Sequence, residues 1–162
     1  MKALILVALL FCMPKSIYGN EDFKVVNIKK DTVSLTDLSQ DVDLFVVVFT
    51  GRYICFDCFK KIITTLDSLC KIYPKLDYIF LGNAESSQER RMQIEKIEQI
   101  KETKLKYKYF DAGKVLEKYK IVDSPAVFFL RDGKITSFIS LKDFEKVNYK
   151  CRPLFKKVIE NK

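Results

Sequence analysis

The chain has 162 residues, 48% of them apolar and 31% charged, with a formal net charge of +8 and no histidine or tryptophan. That length and apolar content suit one domain with a sizeable core, and no internal repeat or low-complexity tract interrupts it. The 29 basic and 21 acidic residues alternate along the chain, which fits solvated faces and argues against a nucleic-acid surface.

Residues 1–19 read as a secretory signal: Lys2 is a minimal basic start, Ala3 to Met13 an apolar stretch, and polar residues precede Gly19. A transmembrane helix needs about 20 apolar residues, so the stretch is too short to span a bilayer comfortably, and an uncleaved anchor is the alternative to cleavage near Gly19. No stable membrane insertion is expected after cleavage. Phe11 stands before Cys12 where lipid-attachment sites carry a small residue, which argues against a lipoprotein. Residues 20–162 then form the mature domain, and loss of Lys2 and Lys15 leaves 27 − 21, or +6. Export, to a bacterial periplasm or cell envelope, places the domain where disulfides form and persist.

From Phe23 to Leu38, short alternating segments flank Lys29 to Asp31 and predict a small hairpin that lengthens a sheet or covers its edge. Leu44 to Phe49, LFVVVF, is an unbroken apolar run suited to a strand covered on both faces. A loop at Thr50 to Ile54 follows. After Cys55, the residues Phe59, Ile62, Ile63, Leu66, Leu69, Cys70 and Tyr73 recur at steps of three and four, which makes one stripe of a helix. Pro74 stops that helix, and Leu76 to Leu81 predicts a second buried strand ending at Gly82. Ser86 or Ser87 caps a further helix reaching about Thr103, with Met92, Ile94, Ile97 and Ile100 as its buried stripe. Tyr107 to Tyr119 predicts a short strand and a short helix with Val115, Leu116 and Tyr119 inward. Pro125 opens an apolar strand to Leu130, Asp132-Gly133 turns into a strand at Lys134 to Ile139, and a last helix spans Lys142 to Ile159. Phe144, Val147, Leu154, Phe155 and Val158 are its core candidates, with Pro153 bending or restarting it. The pattern predicts an α/β fold, a sandwich of helices around a central mixed sheet with an N-terminal hairpin extension.

The chemistry concentrates at the junction of the first buried strand and the first long helix, where Cys55 and Cys58 form a Cys-x-x-Cys pair in the helix's first turn. A helix N-terminus presents unpaired N–H groups and a partial positive charge, which favour a thiolate. The thiol's usual pKa of about 8.5 falls to roughly 3.5 to 7.5 at such sites, and the thiolate is the species that attacks disulfides. Half of a zinc site, a structural crosslink and two packed thiols are the other readings of the pair. The strand before and the helix after it are the context that redox chemistry requires. Asp57 disfavours a thiolate while Lys60 and Lys61 favour one, so these three tune the site in opposite senses.

The order strand, C-F-D-C, helix, strand, helix, S-P before a strand, D-G hairpin and helix resembles the thioredoxin superfamily, and within it the exported TlpA/ResA type. The residues that carry it are Val33 to Leu38, Val46 to Phe49, Cys55 to Cys58, Tyr119 to Pro125 and Phe128 to Ile135. The resemblance implies that Cys55 attacks, Cys58 resolves, and Pro125 is a cis proline that faces them and, with Ser124, contacts the substrate. Three departures stand out. Ile54 occupies the place of the tryptophan common before the first cysteine, Val48 or Phe49 that of the buried acid of thioredoxins, and Lys61 that of an acid in the ResA-like group.

The function so implied is thiol-disulfide exchange, in the direction of disulfide reduction, on exported protein disulfides or thiols, with an unidentified redox partner protein. A redox-inactive binding module with a static disulfide is the alternative, and a peroxiredoxin lacks its T-x-x-C arrangement here because Thr50 lies five residues before Cys55. No cofactor is expected. The lack of histidine removes sites made of two cysteines and a histidine, leaving only an all-cysteine metal site from Cys55, Cys58, Cys70 and Cys151. Cys70 reads as a core thiol, and Cys70 and Cys151 as dispensable for turnover, though able to pair with each other.

Overall fold

The computed structural model describes residues 23–27, 31–49, 56–83, 86–99, 108–110, 113–121 and 125–161. The predicted signal at 1–19 lies outside them. Seven strands are described: β1 (Lys24–Asn27), β2 (Thr32–Ser34), β3 (Asp43–Phe49), β4 (Leu76–Gly82), β5 (Lys108–Phe110), β6 (Ala126–Arg131) and β7 (Lys134–Ile139). They form one sheet in the order β2-β1-β5-β4-β3-β6-β7. β3, β4 and β5 pair in parallel, whereas β6 pairs antiparallel with β3, β7 with β6, β1 with β5 and β2 with β1. The N-terminal hairpin therefore extends the sheet through β1 against β5, as its alternating pattern predicts.

Among the described residues six helices cover the sheet: α1 (Leu35–Leu38), α2 (Phe56–Cys70), α3 (Ser87–Glu98), α4 (Gly113–Lys118), α5 (Leu141–Lys146) and α6 (Cys151–Glu160). β3 is central, and its apolar run is buried on both sides because successive side chains alternate across the sheet. Phe45 and Val47 join Phe59, Ile62, Ile63, Leu66 and Leu69 of α2 with Phe144 of α5 and Phe155 of α6 in one core. Leu44, Val46 and Val48 join Val25, Leu35, Val115 and Leu116 in the other. The stripe read for α2 is the face that packs, with Cys70 and Tyr73 at its partly buried margin.

Two segments depart from the expectation. The last helix is divided: α5 ends at Lys146 and α6 begins at Cys151, with Asn148 and Tyr149 at φ +48° and +56° between them. Left-handed backbone ends a right-handed helix, so the break precedes Pro153, which falls in the first turn of α6 where its missing N–H costs least. Phe144 and Phe155 are buried as expected, but Val147, Leu154 and Val158 are only half-buried, and Cys151 and Ile159 complete the inner face. In α3, Met92 is 49% exposed and Gln93 only 6%, so the stripe is rotated from the one expected. Gln93 donates from Nε2 to the Asn83 carbonyl at 2.9 Å, which satisfies that half of its amide but not the buried Oε1. The side chain of Ile97, and Ile100 altogether, lie outside the described residues. Ser86 accepts from the Glu89 amide at 3.2 Å and serves as the cap.

The β6–β7 turn has Asp132 at φ +50° and Gly133 at +74°, the two positive values that a type I′ hairpin needs. A Cβ on Gly133 would stand 2.7 Å from Cγ2 of Thr36, whose hydroxyl donates to the Gly133 carbonyl at 3.4 Å. Gly133→Ala should therefore destabilise the fold by about 1 kcal/mol or more, a loss measurable as a lower urea midpoint. At the far end of β6, Arg131 pairs with Asp43 at the start of β3 through Nε at 3.0 Å and Nη2 at 2.9 Å, and also donates to the Ile159 carbonyl at 2.9 Å. The bidentate pair ties β6 to β3, and the bond to Ile159 holds the end of α6 against them.

Candidate active site

β3 runs directly toward the Cys-x-x-Cys pair, and α2 begins at Phe56, so Cys58 occupies the helix's third position. Cys58 is buried, with 8% of its surface exposed, next to Phe59, the first residue of the packed stripe. Asp57, Lys60 and Lys61 are all exposed on the opposite side. Cys55, the loop at 50–54 and Ser124 lie outside the described residues, as does the peptide bond joining Ser124 to Pro125.

Pro125 is buried immediately before β6. β6 is antiparallel to β3 with Ala126 opposite Val48, which sets Pro125 at the carboxyl end of β3, the end that leads into the cysteine motif. Carboxyl ends of parallel strands are where open α/β sheets bind ligands. Cys58 and Pro125, some seventy residues apart in the chain, thus belong to one end of the sheet.

Cys70 and Cys151 are not in a disulfide, so the pairing open to them in the sequence is not made. Cys70 sits at the margin of the core, whereas Cys151 is 2% exposed at the first residue of α6. Burial pushes the Cys151 thiol up to about 11, against smaller opposing effects of a backbone hydrogen bond and of Lys61. Its Sγ also donates to the Tyr149 carbonyl at 3.2 Å, which favours the protonated form. With a pKa of about 11, roughly one thiol in a thousand is ionised at pH 8, against about a quarter for an ordinary cysteine. Iodoacetamide should therefore label Cys151 at least 100-fold more slowly in the folded protein than in urea, as read by mass spectrometry. Among the described residues no group of His, Cys, Asp and Glu could hold a metal ion.

Tyr149 and Cys151 were not legible as neighbours of the motif. The break between α5 and α6 brings Tyr149 beside α2, with the Lys61 ammonium 5.9 Å from its ring centre. Only the docking of α6 on α2 creates that proximity, and no local pattern signals it.

No protein-family model and no curated protein sequence matches the chain. Solved structures do. The thioredoxin domain of a thiol-disulfide oxidoreductase from Bacteroides vulgatus superposes with a TM-score of 0.56 at 18% identity, over 81% of this chain and 93% of that one. StoA from Bacillus subtilis gives 0.53 at 17% identity, over 82% and 98%. The pneumococcal exposed lipoprotein thioredoxin from Streptococcus pneumoniae gives 0.52 at 19%, over 80% and 98%. Such low identities speak for architecture: the chain has the thioredoxin fold, which it shares with a thiol-disulfide oxidoreductase domain and an exposed lipoprotein thioredoxin among others.

Proposed function

We propose that this chain carries out thiol-disulfide exchange on exported proteins through Cys55 and Cys58, with reduction of the target as the net direction. The Cys55 thiolate attacks one sulfur of the target disulfide and expels the other as a thiolate, forming a mixed disulfide. Cys58, giving up its proton, then attacks the Cys55 sulfur and releases the second target thiolate. Two electrons pass to the target, and the pair is left oxidised for an external dithiol partner to reduce again. Ser124 and Pro125 contact the substrate backbone beside the pair. Asp57, Lys60 and Lys61 adjust the thiolate from the exposed side of α2, and neither a metal nor a cofactor takes part.

The observation that carries this reading is the position of Cys58, buried in the first turn of the helix that follows the central strand of a thioredoxin fold. Its sulfur is disulfide-bonded, and we assign Cys55 as the partner. Among the described residues no helix is long and apolar enough to cross a membrane. Work outside the cytoplasm is supported by the 1–19 stretch and by a structural relative that is an exposed lipoprotein.

Equilibration with dithiol buffers tests the proposal. A catalytic pair should show a midpoint well above −300 mV, because structural disulfides lie below about that value. A midpoint below it would instead support a static crosslink in a binding module.

A further inference from the structure

A groove of about 530 Å³ opens between the exposed side of α2 and the start of α6, a size typical of ligand-binding clefts. Lys60 and Lys61 line one wall, and Lys150 and Arg152 the other. Asp57 is the single carboxylate on the rim, so four cations face one anion. Among the described residues none of the four cations is ion-paired, whereas Lys71, Arg91, Arg131 and Lys146 elsewhere on the molecule are. The inner surface is less polar: Cys151 is buried, Tyr149 half-buried, and Pro153 closes one side. Asp57 also lies between Cys55 and Cys58 in the chain, so the groove begins beside the cysteine motif.

We infer that this groove docks an acidic segment of the disulfide-bearing protein, holding carboxylates on the lysine and arginine walls and an apolar side chain against Tyr149 and Pro153. Two pairs of cations, one on α2 and one at the start of α6, suit several carboxylates spread along a peptide better than one compact anion. Complementary charge at a rim acts mainly on encounter and register, so the groove selects which exported proteins reach the motif. Its place in substrate choice rests on the exchange proposed above, but binding itself does not.

The test is fluorescence anisotropy of the full chain with a labelled, cysteine-free peptide of alternating Glu and Leu. Lys150→Glu combined with Arg152→Glu, both at exposed positions, should weaken binding on the order of tenfold at low salt. Binding to the unaltered chain should also weaken as salt rises, and an uncharged Gln and Leu peptide should bind poorly. Should the double variant not fold, Lys60→Glu on the α2 wall reports the same loss. Unchanged affinity in the folded variant, or equal binding of the uncharged peptide, overturns the inference. So does equal binding of an oligonucleotide of matched charge, which would make the groove a general polyanion surface. A chain that binds the acidic peptide but fails to exchange disulfides removes the catalytic proposal and leaves the groove standing.

Discussion

Cys58→Ser should convert the protein from one that turns over disulfides into one that captures them. Cys58 is buried at the third residue of α2, where a bulky protein disulfide cannot approach but a sulfur attached three residues away can. Its attack on a mixed disulfide is intramolecular and gains from the high effective concentration of a group held in place. Without it the first step survives and the second is lost, so adducts through Cys55 accumulate and run as reducible bands on non-reducing gels. Cys55→Ser should abolish both turnover and adducts. A static crosslink predicts a different outcome, in which both variants lose stability and neither traps anything. A folded Cys58→Ser protein with Cys55 measured as reduced, forming no adduct with any disulfide peptide, would end the catalytic reading.

The largest loss of stability should come from Phe45→Ala. Phe45 is fully buried at the middle of the sheet, with ring centres 4.6 Å from Phe129 and 5.1 Å from Phe155. Truncation removes contacts to β6 and α6 at once, and the rigid sheet limits how far the void can collapse. We expect a loss of about 3 to 5 kcal/mol by urea unfolding, against a total stability of roughly 5 to 15 kcal/mol for a domain. Phe45→Leu, which keeps most of the volume, should cost less. A loss under about 2 kcal/mol for Phe45→Ala would mean that α6 and β6 repack around the gap.

What was legible in the sequence is what short-range pattern controls. The run at Leu44 to Phe49, the stripe at Phe59 to Leu69 and the Asp132-Gly133 turn each state their own geometry, because burial on both faces, a period near 3.6 and a positive φ are local requirements. Their order then matched the thioredoxin fold. What was not legible depended on contacts between distant segments. Gln93 turns inward because the Asn83 carbonyl accepts its amide, a partner invisible to a hydrophobic stripe. The division of the last helix rests on Asn148 and Tyr149, the latter an unusual residue for left-handed backbone, and it placed the groove's second wall ahead of Pro153, where the sequence suggested the helix would bend or restart. Cys151 follows the motif by almost a hundred residues in the chain. It stands nonetheless at the inner end of a groove that begins at Asp57, buried and strongly protonated.

The clasp between Arg131 and Asp43 spans 88 residues, and that interval sets a clock on synthesis. Translation at about 5 to 20 residues per second makes roughly 4 to 18 s pass between emergence of the two partners. Through that time one side of β3 has no β6 to pair with, and its Val-rich and Phe-rich backbone edge is open to other chains. The nascent protein is therefore most prone to associate before its final third is made, and a holdase that covers Leu44 to Phe49 would raise its yield more than one that acts on the finished chain.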